Sequence, residues 1–212
     1  KVAHKFCISG GSPNRLLSYG TPDEVRAYCR RVIEGVAGDG GYIYFSDDIT
    51  AGVTVQTAGD VTVEDLTAIH GLNKDNLVAV GANNAVLATQ NGGVTWSAIT
   101  GPANGVALTS VWMRTASEWF VGAANGRLYY TRDSGQTWVE KAFSGAGAGS
   151  VTDISFSTPT VGYMAHNTAS PAGRIFRTVD GGFSWYALPE NDGLIFPEND
   201  GINTIAACKD NP

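Results

Sequence analysis

Aspartate or asparagine, hydroxyl and tryptophan side chains recur at one spacing in three stretches: TQNGGVTW at Thr89–Trp96, TRDSGQTW at Thr131–Trp138 and TVDGGFSW at Thr178–Trp185. A carboxylate beside hydroxyl groups can bind a cation or act as a general acid or base. The same residue types also build tight turns, because an Asp or Asn side chain accepts hydrogen bonds from nearby backbone N–H groups and Gly tolerates positive φ.

The stretches begin 42 and then 47 residues apart, so each falls in a different repeated unit and the carboxylates are separated. We therefore predict that the recurring positions specify a turn and its tryptophan anchor rather than a catalytic or metal site. These positions are Thr89, Asn91, Gly93, Trp96, Thr131, Asp133, Gly135, Trp138, Thr178, Asp180, Gly182 and Trp185.

The other reactive side chains form no recognisable catalytic set. Glycoside hydrolysis needs two carboxyl groups roughly 5–10 Å apart, and nothing in the sequence joins any two of the candidates Glu64, Asp65, Glu118 and Asp153. The chain has no nucleophile elbow, phosphate-binding loop or dinucleotide fingerprint. His4, His70 and His166 lie far apart in sequence. We predict no catalytic residue, no metal site and no cofactor, and we assign no binding residue.

A repeat of 40 to 50 residues is typical of a propeller blade. Segments that begin at Leu66, Leu108 and Val151 each contain three short apolar runs separated by polar turns, and a fourth run follows each tryptophan. This pattern predicts an all-β fold: a β-propeller, or part of one, made of four-stranded antiparallel blades. We place the blades at 35–212, with an incomplete last blade at INTIAACKDNP, and expect six or seven blades in the full protein.

The recurring phrase resembles the Asp-box, or BNR repeat. Proteins with this repeat include sialidases, sortilin-type receptors, a photosystem II assembly factor and propeller proteins of tailed-phage virions. The resemblance implies that the box lies on the outer hairpin of each blade, away from the central pocket. A sialidase is disfavoured because no FRIP-like segment and no triple-arginine pattern is present.

Residues 1–34 form a diverged N-terminal segment. Its stretch Pro22–Arg31 has the capping and spacing of a short helix, but it also aligns with the start of a blade. Residues 10–49 weakly resemble the C-terminal segment of uroporphyrinogen-decarboxylase-like enzymes, from which no chemistry is carried over. Farther along, the doubled PENDG in Leu188–Gly201 predicts two tight turns, with a calcium site as the alternative.

Charge and composition narrow the function classes. A net charge of −6 disfavours a nucleic-acid partner, and no apolar run is long enough to insert into a membrane. We predict a non-enzymatic structural or binding propeller, a virion or tail component of a tailed phage that contacts other protein subunits or surface glycan. The alternatives are a sialidase-like hydrolase and an assembly-factor or receptor propeller of the photosystem II or sortilin type, in a secreted or periplasmic location.

Overall fold

The structure, a computed structural model, describes residues 43–45, 54–56, 61–102, 104–144, 146–168, 173–188 and 201–208. The predicted segment 1–34, the helix at Pro22–Arg31 and most of the PENDG connector lie outside these residues. Within them, no helix is long and apolar enough to cross a membrane.

Fourteen described strands form three four-stranded antiparallel sheets and one separate pair. The pair is β1 (Ile43–Phe45) with β2 (Thr54–Gln56). Blade 1 consists of β3 (Leu66–Gly71), β4 (Leu77–Gly81), β5 (Val86–Thr89) and β6 (Ser97–Ile99), with a 3₁₀ turn at Ala82–Asn84. Blade 2 consists of β7 (Leu108–Met113), β8 (Trp119–Ala123), β9 (Leu128–Thr131) and β10 (Val139–Lys141). Blade 3 consists of β11 (Ser150–Phe156), β12 (Gly162–Asn167), β13 (Gly173–Thr178) and β14 (Tyr186–Ala187).

Each sheet pairs its strands in chain order. This up-and-down order and the repeat of the sheets are those of propeller blades, and the predicted all-β propeller fold is confirmed.

The core lies between the sheets rather than within one of them. On β8 of blade 2, Trp119 and Val121 pack in the apolar cluster shared with blade 1, whereas Phe120 packs in the cluster shared with blade 3. Successive side chains of a strand point to opposite faces, so a strand covered on both faces is apolar along its whole length. All five residues of β8 are buried for this reason.

A repeated hydrogen bond joins each blade to the next. The first strand of every blade has a register shift, and the residue inside it is Thr67, Thr109 or Thr152. These three hydroxyls donate to the carbonyls of Leu108, Val151 and Ile202, respectively.

The third of these bonds places 201–208 where the first strand of a further blade begins. Asn167 exchanges two hydrogen bonds with the backbone of Ile202, and the Asp153 carboxylate accepts the backbone N–H of Ile205 at 2.9 Å. Ser155 accepts the backbone N–H of Ala207 at 2.9 Å. Side chains of blade 3 therefore hold this segment.

Candidate functional site

The three boxes, Thr89–Trp96 (box 1), Thr131–Trp138 (box 2) and Thr178–Trp185 (box 3), each connect the third and fourth strands of a blade. In box 2 the Thr131 hydroxyl donates to the Asp133 carboxylate at 2.7 Å and accepts the backbone N–H of Gly135 at 2.9 Å. The carboxylate also accepts the backbone N–H of Thr137 at 2.8 Å and its hydroxyl at 2.6 Å. The box residues thus bond to one another, as expected of a turn.

These bonds also set the charge state of the box carboxylates. The hydroxyl and backbone N–H of Thr137, with the Thr131 hydroxyl, lower the pKa of Asp133 from 3.8 to about 2. At Asp180 slight burial raises the pKa, but hydrogen bonds from Ser184 and Thr178 outweigh it and the pKa is again about 2. Both side chains are therefore ionised acceptors at neutral pH and poor proton donors for catalysis.

The box tryptophans differ in burial. Trp96 and Trp185 are buried, and Trp185 meets Phe120 of the preceding blade edge to face with ring centroids 6.3 Å apart. Trp138 is half-buried, and its indole N–H donates to the carbonyl of Thr100 in the preceding blade at 2.8 Å.

The carboxylates considered for hydrolysis make separate local contacts. Glu64 accepts a hydrogen bond from Asn83, and Asp153 holds the segment at Thr204 and Ile205. Glu118 is paired with Arg114. Among the described residues, no group of three His, Cys, Asp or Glu side chains has the geometry to bind a metal ion.

The two described histidines lie on different blades. His70 accepts the backbone N–H of Met113 and packs on Trp112, and burial lowers its pKa to about 4 against the opposing effect of Asp153. His166 is buried between the rings of Phe143 and Phe176.

Tyr129 and Tyr130, two neighbouring aromatic residues that could stack on a sugar if they were exposed, are buried. Both lie on β9, which neighbouring blades cover on both faces. Tyr186 is partly exposed.

One group of side chains between blades 2 and 3 is not explained by the repeat. We call it the basic cluster; it consists of Arg114, Glu118, Tyr130, Arg132, Lys141 and Phe183. Its centre is the Tyr130 hydroxyl, which donates to Glu118 at 2.8 Å and accepts from Arg114 at 3.0 Å and from Arg132 at 3.1 Å.

Two cations of the cluster contact aromatic rings. The guanidinium of Arg132 lies 5.5 Å from the Tyr130 ring centre and 5.0 Å from that of Phe183. The ammonium of Lys141 lies 5.0 Å and 4.8 Å from the same two rings. These distances are within the range of cation–π attraction, which offsets part of the repulsion between the two neighbouring positive charges.

The cluster holds three cations and one carboxylate, and a second carboxylate, Asp180 of box 3, lies near enough to act on Lys141. The hydrogen-bond donors of Arg114 are mostly occupied by groups of the protein, because Arg114 pairs with Glu118 and donates to the carbonyl of Gly181 at 2.7 Å. The side chain of Arg132, in contrast, is 57% exposed. Burial lowers the pKa of Lys141, and the positive charges of Arg132 and Arg114 lower it further, beyond what Asp180 offsets. The site is therefore electropositive on a protein whose net charge is −6.

The equivalent positions of the other blades lack this arrangement. Strand pairing matches Tyr130 to Ala88 in blade 1 and Arg177 in blade 3, since each pairs with the first residue of the fourth strand of its blade. The charged residues of the cluster also have uncharged counterparts. In the order Arg114, Glu118, Arg132 and Lys141, the matching residues are Leu72, Asn76, Gln90 and Ile99 in blade 1, and Ser157, Val161, Val179 and Leu188 in blade 3. The cluster is thus particular to blade 2, whereas the boxes are common to all three blades.

Comparison with known proteins identifies the family. The family model of the photosynthesis system II assembly factor YCF48, a BNR-repeat family, matches residues 51–196. The chain belongs to the YCF48 family. The comparisons therefore support the expected photosystem II assembly-factor alternative better than the tailed-phage virion component, and they give no support to glycan binding.

The chain is also similar to several solved structures. YCF48 from Cyanidioschyzon merolae is 14% identical with a TM-score of 0.54, over 72% of this chain and 54% of that one. An ancestral GH74 enzyme is 14% identical with a TM-score of 0.56, over 74% of this chain and 22% of that one. A YCF48 bound to a D1 peptide is 24% identical with a TM-score of 0.49, over 58% of this chain and 40% of that one.

The chain thus spans 54% or less of the length of each of these structures. No curated protein matches it.

Sequence reasoning missed the basic cluster of this YCF48-family chain. In the sequence, Arg132 by itself is only a neighbour of a box position. A position-by-position comparison of the three units would have found the signal, because charged residues occupy blade 2 positions that are uncharged in blade 1.

Proposed function

We propose that this chain is a non-enzymatic, protein-binding propeller of the assembly-factor type, and that the basic cluster binds an acidic segment of its partner. The observation that carries this proposal is a pair of cations, Arg132 and Lys141, held against the rings of Tyr130 and Phe183, whose positive charges the described carboxylates Glu118 and Asp180 offset only in part. The only salt bridge recorded for Arg132 among the described residues is a 3.9 Å contact with Glu118, which already pairs with Arg114.

The geometry suits a carboxylate-bearing peptide. Arg132 can offer its remaining guanidinium N–H groups to a carboxylate in a forked arrangement. Lys141 adds a point charge, and Phe183, which is 55% exposed, adds an apolar surface beside it. Arg114 acts as a positioning residue, since its bonds to Glu118, Tyr130 and Gly181 fix the wall against which the two cations lie.

Family membership supports a protein partner, because an assembly factor works by binding the proteins that it helps to assemble. The finer proposal is that the partner belongs to photosystem II or a related assembly. The absence of enzymatic activity is also a proposal, supported by the separate engagement of Glu64, Glu118 and Asp153 and by the low pKa of the box carboxylates.

The test is peptide binding by a variant with both cations neutralised, Arg132→Gln with Lys141→Gln. Gln is the residue at the position of Arg132 in blade 1. Two labelled probes are used in fluorescence anisotropy: a hexaglutamate peptide and a D1 peptide, the kind of ligand with which a YCF48 has been solved. We expect the affinity to fall by at least about tenfold, roughly 1.4 kcal/mol. Raising the salt concentration should weaken the parent protein's binding in the same direction.

The matched control is Lys74→Gln with Arg127→Gln, which removes the same two charges from exposed sites outside the cluster. Equal loss of binding in the control would show that net charge alone matters and would refute the site. Unchanged binding in the cluster variant would refute it as well. Hexaglutamate binding without D1-peptide binding would support the acidic-segment site and reject D1 as its partner.

A further inference from the structure

A groove on the other face of blade 2 differs from the basic cluster because it is uncharged. It lies between blades 1 and 2, has a volume of about 400 Å³, and none of the described residues that line it is charged. Its lining is mixed: the apolar residues include Leu77, Ile99, Met113 and Trp119, and the polar ones, seven of the thirteen, include Asn76 and Gln90. The volume is in the range of ligand sites, roughly 300–1,000 Å³. We call it the neutral groove.

The neutral groove and the basic cluster share one wall. This wall is the turn Arg114–Glu118 between β7 and β8. Box 2 is bonded to the turn, because the backbone N–H of Ser134 donates to the carbonyl of Ser117 at 3.0 Å. Ala116 and Ser134 line the neutral groove, whereas Arg114 and Glu118 at the ends of the same turn belong to the cluster. The two sites therefore lie on either side of this one turn at the edge of blade 2.

We propose that the partner segment continues over this turn and inserts an apolar side chain into the neutral groove. This inference rests on the proposed function, because the acidic part of the same segment must occupy the basic cluster. The Gln90 amide and the Asn76 side-chain oxygen can form hydrogen bonds with an extended peptide backbone, whereas the Asn76 amide nitrogen already donates to Asn73. The uncharged lining, with Leu77 and Ile99 among its apolar members, favours an aliphatic side chain over a charged one.

Sheet geometry gives the expected spacing of the two anchors. Packed sheets lie about 10 Å apart and an extended chain advances about 3.3 Å per residue. An apolar side chain about three residues from the acidic group therefore spans from one site to the other.

The test uses three synthetic peptides of equal length that share a Glu-Glu pair in a Gly/Ser background. One peptide carries Leu three residues from the pair, the second carries Ser there, and the third carries Leu directly beside the pair. We expect the first to bind the full chain about tenfold more tightly than the second, a difference of roughly 1.4 kcal/mol. The third should bind like the second.

The deciding variant is Ser97→Trp, which places a large ring in the neutral groove. It should abolish the advantage of the first peptide and leave the affinity for the second unchanged. Ala98→Trp is the control, because the next residue on β6 points to the opposite face and is not part of the groove lining. Equal melting temperatures for both variants exclude a folding defect.

Equal affinity of the parent for all three peptides would overturn the groove proposal and leave the basic cluster standing. The same holds if Ser97→Trp weakens the first and second peptides alike. If no Glu-Glu peptide binds the parent at all, the proposed function fails, and the groove proposal fails with it.

Discussion

Replacing Thr178 by Val tests whether the boxes are turns held together by their hydroxyl groups. The Thr178 side chain is fully buried. Its hydroxyl donates to the Asp180 carboxylate at 2.8 Å and accepts the buried backbone N–H of Gly182 at 2.9 Å. Val keeps the shape of Thr and removes these two bonds together with a longer one, at 3.4 Å, from the backbone N–H of Asp180.

The expected loss follows from the two partners that remain. A buried N–H left without an acceptor costs about 1–3 kcal/mol, and a lost bond to a charged group adds to it, so we expect roughly 2–4 kcal/mol in total. For a chain of this length each kcal/mol lowers the melting temperature by about 2–4 °C, which gives a decrease of about 4–16 °C.

The measurement is thermal and urea unfolding followed by circular dichroism, with Thr178→Ser as the control. Ser keeps the hydroxyl and loses one methyl group, about 0.8 kcal/mol for a buried carbon, so it should be clearly more stable than the Val variant. If the two variants melt together, or if Val is the more stable, the hydroxyl does not hold the turn and the reasoning is wrong.

Three further predictions concern the boxes and a buried histidine. Trp185→Ala should lower the unfolding free energy by about 3–5 kcal/mol, because it removes a buried ring from between two blades. The folded fraction of this variant should still bind an acidic peptide. Stability equal to the parent's would contradict the prediction. Asp133→Asn should lower the stability modestly at pH 7, because an amide oxygen accepts the same backbone N–H, as Asn91 does in box 1, but without the negative charge. Because folding lowers the pKa of Asp133 from 3.8 to about 2, the parent should lose stability as the pH falls from about 4 to 2, and the Asn variant should lose less over that range; parallel acid-melting curves would argue against it. Burial lowers the pKa of His166 from 6.5, so the stability that the neutral imidazole contributes is present above that pH and is lost as the pH falls below it. The decrease in melting temperature from pH 7 to pH 5 should therefore be smaller in His166→Leu, although His70, whose pKa burial also lowers, should still contribute to it. An unchanged decrease would refute this.

The repeat was predictable because its causes are local. A turn that needs Gly at positive φ, an Asx side chain and a hydroxyl within eight residues leaves the same pattern wherever it occurs, and Gly93, Gly135 and Gly182 all have φ between 82° and 86°. The alternation of short apolar runs likewise predicts strands without knowledge of their neighbours.

The basic cluster could not be predicted in this way. Its members come from the turn before β8, from β9, box 2 and β10, and, in the case of Phe183, from box 3 of the next blade. Considered singly, Arg132 is a polar residue beside a turn and Tyr130 an aromatic residue on a short strand. Packing of blade 3 on blade 2 turns Tyr130 inward and brings Phe183 over it.

The sequence by itself determined the blade repeat, the box turns and the all-β class, since these depend on residues within one unit. Only the tertiary structure decided which side of blade 2 is electropositive and which is neutral. Charge and burial at an interblade groove depend on side chains that adjacent blades contribute from more than 40 residues apart in the chain, as with Arg114 and the carbonyl of Gly181.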